Sequence, residues 1–292
     1  MTGSGAPAFG CIVLSRGRRP AELRAAVGSL LAQTGVEVDV VVVGNGWKPE
    51  GLPDGVHAVA LAKDVGIPAG RNAGVPAVSG GLLFFLDDDA RLAATDALAR
   101  VAARMAAEPD VGLLQLRVAP STPGVPPRDW VPRLRVGDPR RSSAVTAVWE
   151  GAVAMPRAVF EQVGGWPGEF RFAHEGVDLA WRVMDTGRWV LYAGDIAALH
   201  PVYATAPHDY SAYHGARNRV WLARRHLPLP LAILYVLGFV ARTLPLMARS
   251  RGRLAQAARG YRDGLRGPCG PRRPLHVKTL WRMTRAGRPP VI

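Results

Sequence analysis

Short apolar runs alternate with stretches of helical spacing along the first two thirds of the chain. Residues 9–14 form one such run and read as a buried strand. Pro20 follows where a first helical residue is favoured. Leu23, Val27, Leu30 and Leu31 then recur at three- to four-residue spacing through Ala32. Residues 38–43 are a β-branched run closed by Gly44-Asn45-Gly46, a second buried strand. Residues 57–61 give a third, weaker strand, and 67–78, rich in Gly and Ala, a helix entered through Gly66 and Pro68. Residues 82–86 are the next strand. Thr95 is placed to cap a helix through Ala107 with Leu98, Val101 and Met105 inward, and 111–116 is a further strand. Near-continuous apolar strands alternating with helices predict an α/β fold, its mostly parallel sheet covered by helices on both faces.

The pattern then changes. Residues 119–143 are rich in Pro, Arg and Ser without a period, a long loop of the kind that often carries function. A strand over 151–155, a short helix over 157–163 ended by Gly164-Gly165, and a helix over 175–186 with Gly187 past its end follow. Short strands are predicted over 189–192 and 197–199, the second ending at His200. Beyond these, 210–227 is an aromatic and Arg-rich helix. Residues 227–241 are apolar, Arg242 interrupts, and 243–248 resume. A bilayer span takes roughly 20 apolar residues, and this run holds Pro228, Pro230 and Arg242. It therefore predicts a helix lying at a membrane interface rather than a span. Residues 249–288 read as a basic tail punctuated by Gly and Pro.

Charge sharpens that division. The 292-residue chain carries a formal +14. Residues 201–292 hold 17 Lys and Arg against only Asp209 and Asp263, a net of +15, leaving 1–200 at −1. A basic region of this kind implies a polyanionic partner, and an anionic membrane surface fits the adjoining apolar segment. It lacks the aromatic–basic alternation of a nucleic-acid stacking surface, which argues against a nucleic-acid partner. Cys11 and Cys269 are the only cysteines, so neither a disulfide framework nor a zinc pattern exists and a reducing compartment is expected. Residues 1–10 have no basic n-region or long apolar run, so no signal peptide is read there.

The sharpest chemical signal is Asp87-Asp88-Asp89 directly after the 82–86 strand. Ligands of open α/β sheets bind at the carboxyl ends of strands. Adjacent carboxylates need a shared cation, and Mg²⁺ typically bridges carboxylates to substrate phosphates. Strand then acidic triplet therefore predicts a metal–diphosphate site.

Further segments stand in order around it: residues 11–15 with Arg19-Pro20 and 29–33; 41–46; Gly70-Arg71-Asn72-Ala73-Gly74; Val163-Gly164-Gly165-Trp166; and Glu175 through Arg182, ending at His200. Together they resemble the family-2 glycosyltransferases, which have the GT-A fold, over about residues 9–221. The resemblance implies a catalytic domain over 1–206, its nucleotide-sugar part about 1–118 and its acceptor part about 144–206, with a helical, basic, membrane-associating region over 207–292.

It also implies roles. Asp87 would face the nucleotide ribose and Asp89 the Mg²⁺ or Mn²⁺ on the diphosphate, with Asp88 an alternative ligand because the triplet leaves the register open. Ser15, Arg16 and Asn45 would contact the nucleotide. Arg71 and Asn72 would line its pocket, Arg through a planar fork suited to a diphosphate. His200 would join the metal shell, where an imidazole suits Mn²⁺, and His174 would touch substrate. Arg217, in a helix resembling one of rhamnosyl-transferring members, would close over the diphosphate or else anchor the tail. The acceptor hydroxyl needs a base. Family members often have Glu-Asp where this chain has Glu175-Gly176, so Glu175 and Asp178 share that assignment, Glu175 preferred because it precedes the helix. Gly44 stands where members commonly have an acid that reads the base, leaving uridine, thymidine and guanosine open.

The resulting expectation is an inverting, metal-dependent transferase of a hexosyl or deoxyhexosyl group. It would move the sugar from a nucleotide diphospho-sugar to a hydroxyl acceptor, lipid-linked or part of a cell-envelope glycan or glycolipid. Its predicted place is cytoplasmic, attached peripherally to the inner membrane face. Two alternatives remain at this level. A sugar nucleotidyltransferase would use the Arg-containing loop over 15–19. A degenerate, non-catalytic nucleotide-sugar- or membrane-binding protein would explain Gly44 and Gly176 as decay.

Overall fold

A computed structural model describes residues 5–203, 209–247 and 250–290. Parts of the expectations above that fall on residues 1–4, 204–208 (with the domain boundary at 206/207), 248–249 and 291–292 lie outside the described residues. In chain order the elements are β1 (Ala8–Ser15), α1 (Pro20–Leu31), β2 (Glu37–Asn45), β3 (Val56–Leu61), α2 (Ile67–Gly74), β4 (Leu82–Asp87), β5 (Arg91–Leu92), α3 (Ala97–Ala107), β6 (Val111–Pro120), β7 (Ser143–Ala144), β8 (Ala152–Pro156), α4 (Arg157–Val163), α5 (Glu175–Asp185), β9 (Trp189–His200), α6 (Asp209–His226), α7 (Leu229–Met247), α8 (Arg251–Arg266) and α9 (Val277–Arg285).

The strands form one mixed sheet in the order β3-β2-β1-β4-β8-β6-β9-β5, with β7 pairing β9. β3, β2, β1 and β4 run parallel. β8 is antiparallel to both β4 and β6, and β6 is again parallel to β9. The parallel reading thus describes the N-terminal strands and the β6–β9 pair, and β8 is the reversed strand between them. β1 is flanked by β2 on one side and β4 on the other, so the order reverses there and a crevice opens at the strands' carboxyl ends. Core residues fill both faces, around Ile12, Phe85 and Trp166 on one and Phe9, Phe84 and Leu98 on the other.

Several elements differ from the sequence expectation for local reasons. α2 stops at Gly74 and a 3-10 turn takes over at Val75–Ala77, because Pro76 supplies no N–H to continue the helix. α3 begins at Ala97 with Asp96 before it, and its Leu98 N–H is taken by Gln33 Oε1 at 2.9 Å, so Thr95 is not the cap. The two predicted strands before His200 are one, β9, carried past a register shift opposite Leu116 and Arg117. The basic tail is not a loose tail. α8 and α9 are formed within it, α8 packs along α6, and Leu275 and Met283 join the core together with Trp221 and Tyr235.

α7 faces two ways. Tyr235 is buried, while Leu229, Ile233, Leu234, Leu237 and Leu244 are exposed along one stripe. Among the described residues no helix is long and apolar enough to cross a membrane.

Candidate active site

The sheet register assembles the acidic end of the crevice. Leu14 of β1 lies opposite Asp87 of β4, which sets Ser15 beside the acidic triplet. The chain then turns into β5, which pairs with β9 through Arg91 and Leu199, and this brings His200 back to Asp89. Asp88 accepts hydrogen bonds from Ser15 Oγ at 2.7 Å and Arg19 Nη2 at 2.9 Å. Asp89 accepts from Arg19 Nη1 and, at 2.8 Å, from the Tyr203 hydroxyl, and stands 3.1 Å from His200 Nε2. Burial pushes the Asp88 carboxyl up to about 6, against the pull of Ser15 and Arg19. Burial opposes charge on Asp89 too, but His200, Arg19 and Tyr203 outweigh it and hold its carboxyl below the usual range.

A ligand atom from each of Asp87, Asp89 and His200 lies within 4.8 Å of the others. His200 Nδ1 sits 2.7 Å from the Pro201 carbonyl oxygen. With the proton on Nδ1, the Nε2 lone pair faces the carboxylates, the tautomer a metal ligand needs. Two carboxylates and an imidazole fit Mg²⁺ or Mn²⁺. Asp88 instead turns to Ser15 and Arg19, so the triplet's first and third acids are the pair that converges.

Arg71 reaches this site because α2 lies hard against the sheet. A Cβ at Gly70 would stand 2.5 Å from Leu14 Cδ1, and one at Gly74 2.7 Å from Val43 Cγ2. Without side chains there, the helix approaches β1 and β2 closely, and buried Arg71 donates to Asp87 Oδ1 at 2.6 Å with its Nη1 left unpartnered. Asn72, one residue on, is spent elsewhere. Its amide donates to Trp166 O at 2.8 Å and accepts from Trp166 N at 2.9 Å. It fastens the Gly164–Trp166 turn and is not among the residues lining the crevice. Asn45 does line it, and also holds the 64–66 loop through Asp64 Oδ1 and Val65 N. Arg16 pairs with Asp64 at 2.7 Å at the mouth.

The crevice has two compartments. The outer one, about 700 Å³, is bounded by Ser15, Arg19, the acidic triplet, Trp130 and His200. The inner one, about 480 Å³, contains Arg71, Glu150, His174 and Glu175. Asp87 and Trp149 belong to both walls.

The two candidate bases part company here. Glu175 is buried in the inner compartment with Oε2 unpartnered. Burial raises its carboxyl, and Arg71 offsets this only in part. Asp178 lies on another face of α5, away from both compartments. Its Oδ2 takes Arg182 at 2.6 Å and its Oδ1 takes His226 Nε2 at 2.8 Å, with Arg225 Nη1 at 3.5 Å. These partners overcome its burial and keep it strongly acidic. It is a buried knot joining α5 to the end of α6, and this is the sequence reading it fails to meet.

Arg217, like Asn72, holds the scaffold. It donates to the Phe170 carbonyl at 2.9 Å and stacks 4.2 Å from the Trp221 ring, so it does not close over the outer compartment. Its neighbour Asn218 donates to the carbonyls of Phe170, Phe172 and Ala173. Between them they clamp a segment in which Arg171, Ala173 and His174 all have φ between 61° and 68°. Such residues cost about 1–3 kcal/mol each and persist only where the surroundings hold them. The strained turn delivers Glu175 to the inner compartment. His174 lines that compartment as well, its imidazole pushed down to about 3 by burial and by Arg219.

Glu150 was not foreseen. Its Oε1 accepts from Gly176 N at 2.7 Å, capping the start of α5 beside Glu175. Burial, then the Glu175 charge, pushes its carboxyl up to about 8. A Cβ at residue 176 would stand 2.4 Å from that Oε1. The missing acid at 176 is therefore replaced in space by Glu150 from the β8 entry, and Gly176 is what lets it in. Gly44 is likewise a steric necessity, since its Cβ would lie 2.1 Å from Trp47 O. The signal for Glu150 is strand direction: β8 is antiparallel, so residues before it share the edge reached by residues after β4.

The chain matches the model of glycosyl transferase family 2 over residues 11–164. No curated protein matches it in sequence. Among solved structures, S. aureus TarS 1–349 in complex with UDP-GlcNAc is 15% identical, with 89% of this chain and 81% of that one covered at a TM-score of 0.61. The mannosyltransferase PcManGT from Pyrobaculum calidifontis, in complex with GDP-Man and Mn²⁺, is 17% identical over 97% of this chain and 85% of its own, at a TM-score of 0.57. A longer S. aureus TarS chain gives a TM-score of 0.53 at 17% identity and 74% coverage of this chain, which spans 39% of its length. At these identities the likeness establishes a GT-A fold.

Proposed function

The chain belongs to glycosyl transferase family 2, and from that premise we propose that it transfers a sugar from a nucleoside diphospho-sugar to a hydroxyl acceptor with inversion. The observation carrying this is the division of the crevice at Asp87, with cation-binding groups on one side and the unpartnered Glu175 on the other.

In this reading the nucleoside and diphosphate occupy the outer compartment. Asp87, Asp89 and His200 would hold a divalent cation, whose charge would offset that of the leaving diphosphate. Arg71, buried and with a free Nη1, stabilises the same developing charge, and its field acts more strongly there than in water. The acceptor enters the inner compartment. Its hydroxyl gives its proton to Glu175 while the oxygen bonds to the anomeric carbon, and the nucleoside diphosphate leaves from the opposite face. Nucleophile and leaving group on opposite sides make a single displacement, hence inversion. Glu150, protonated near neutral pH, caps α5 and leaves Glu175 as the group that takes the proton.

The donor bases to test first are uridine and guanosine, because the solved relatives hold UDP-GlcNAc and GDP-Man. The transferred group is read as hexosyl or deoxyhexosyl. The exposed leucine stripe of α7 and the net +15 of residues 201–292 fit an anionic membrane surface. On this reading the enzyme works at the inner face of a membrane, in the synthesis of an envelope glycan or glycolipid.

Calorimetric titration of UDP and GDP with and without Mn²⁺ tests the site. Asp89→Ala and His200→Ala should each lose the Mn²⁺-dependent part of the affinity, by at least roughly tenfold for a lost ligand. Mn²⁺-dependent affinity unchanged in both variants overturns the assignment.

A further inference from the structure

The inner compartment has a second feature that proton transfer does not use. Arg128, Arg219, Arg242 and Arg288 line it, drawn from the 3-10 turn at Arg128–Trp130, from α6, from α7 and from the chain after α9. Among the described residues none of these four is within ion-pair distance of a carboxylate. Arg219 is 3% exposed, and its Nε has no hydrogen-bond partner. Its guanidinium is held by neutral groups, Nη1 donating to the Tyr235 hydroxyl at 2.7 Å and the plane lying 3.8 Å from the Tyr235 ring and 4.3 Å from Phe239.

These cations work against one another. Burial, and then the Arg242 charge, lowers the Arg219 guanidinium's affinity for its proton. Arg288 is lowered by burial, then by Arg219, Arg242 and Arg128. Of the acids lining the compartment, Glu150 is raised to about 8, Asp87 pairs with Arg71, and Glu175 has Arg71 as its compensating cation, while Asp129 is exposed and among the described residues forms no ion pair with the four. A wall of like charges with an unsatisfied buried donor costs folding free energy unless an anion joins it. A neutral sugar hydroxyl does not need such a wall. A single carboxylate would leave most of it uncompensated. Phosphate carries more charge, and its oxygens match the bidentate guanidinium fork.

We propose that the inner compartment binds a phosphate group on the acceptor, through Arg219, Arg242 and Arg288, and so presents the acceptor's hydroxyl to Glu175. The inference rests on reading this compartment as the acceptor side. It predicts a phosphorylated acceptor, whether a water-soluble phosphate ester or a lipid phosphate. The region after residue 206 then supplies substrate-binding groups as well as packing.

Titration of inorganic pyrophosphate in EDTA isolates this site, because the donor-side diphosphate site requires a cation. Wild-type protein should bind. Arg242→Gln/Arg288→Gln should bind at least roughly tenfold more weakly, about the worth of one charge-assisted hydrogen bond. Arg242 is exposed and Arg288 partly so, and an unchanged Tm verifies that the double variant folds. Its Mn²⁺-dependent UDP or GDP affinity should match wild type. Equal pyrophosphate affinity in the two proteins, or none in wild type, overturns the proposal. So does an equal fall in Mn²⁺-dependent nucleotide affinity, which would assign the arginines to the donor. Pyrophosphate binding that persists where wild type shows no metal-dependent nucleotide binding leaves the anion site standing and sinks the transferase reading instead. A long-chain alkyl phosphate in neutral detergent micelles separates the sources. Tighter binding than pyrophosphate assigns a lipid phosphate, and equal or weaker binding a soluble one.

Discussion

Replacing each of the two acids of α5 should produce opposite signatures. Asp178 is fully buried and satisfied on both oxygens, by Arg182 on one and by His226 and Arg225 on the other. Asp178→Asn keeps the shape but leaves these cations without their counter-charge. Breaking a buried pair by removing one partner costs about 3–5 kcal/mol. At roughly 2–4 °C per kcal/mol for a protein of this size, Tm should fall by around 10 °C. The sign with pH follows from the depressed carboxyl. Its stabilisation is fully present above the unfolded carboxylate value and disappears as pH falls through the lower folded value, so the gap between wild type and variant should close only in strong acid.

Glu175 is the reverse case. Its carboxyl is raised and its Oε2 has no partner. A raised acid contributes stability while protonated and loses it as pH rises through the folded value. Glu175→Gln should therefore be at least as stable as wild type near neutral pH, while turnover falls by roughly 10²–10⁴ if Glu175 takes the acceptor proton. Thermal denaturation across pH, with transfer kinetics at a temperature where all variants are folded, reads both effects. A folded Asp178→Asn with normal Tm and turnover down more than about a hundredfold, beside an active Glu175→Gln, would refute the assignment.

Two further outcomes are expected. Gly176→Ala puts a Cβ 2.4 Å from both Glu150 Oε1 and Val148 O. It should cost about 1–3 kcal/mol and displace Glu150 from α5, lowering turnover more than donor affinity, and a variant with wild-type Tm and kinetics would contradict the capping role. Leu234→Glu/Leu237→Glu, on the exposed stripe of α7, should weaken binding to anionic vesicles, and ~1 M salt, with its Debye length of about 3 Å, should release part of the wild-type protein. Equal, salt-resistant partitioning into neutral and anionic vesicles would defeat surface attachment. Substitution is the sound test, because α8 and α9 pack against α6 and α5 and truncation would open the core.

What the sequence made legible was local. The strand-then-acids run at 82–89 put Asp87 and Asp89 at a sheet edge because a continuous apolar run and the acids after it need only neighbouring residues. The Gly70-to-Gly74 segment is equally local, since its glycines lie four apart on one helix face, and the structure shows them against Leu14 and Val43. Asn72, and Arg217 in its reading as a diphosphate-closing residue, turn to the scaffold for a shared reason. A polar residue beside a site residue faces the ligand or the scaffold according to its side of the helix, and these two hold carbonyls at Trp166 and Phe170. The i,i+4 spacing of Asp178 and Arg182 is readable along the chain, but the acid's further partners His226 and Arg225 lie more than 45 residues away, beyond any local pattern.

Glu150 shows the limit most clearly. Read along the chain, Gly176 is a missing carboxylate and an argument for lost activity. In three dimensions the vacancy and its replacement form one device. The glycine removes the side chain, β8 runs antiparallel and returns its entry to the active edge, and Glu150 caps the helix there. What the start of α5 requires is a carboxylate to take its free N–H beside Glu175, and a family pattern records only one chain position from which a second acid can come. A position that looks vacant in sequence is filled in space wherever a neighbouring backbone delivers the same group, as β8 does with Glu150 at Gly176.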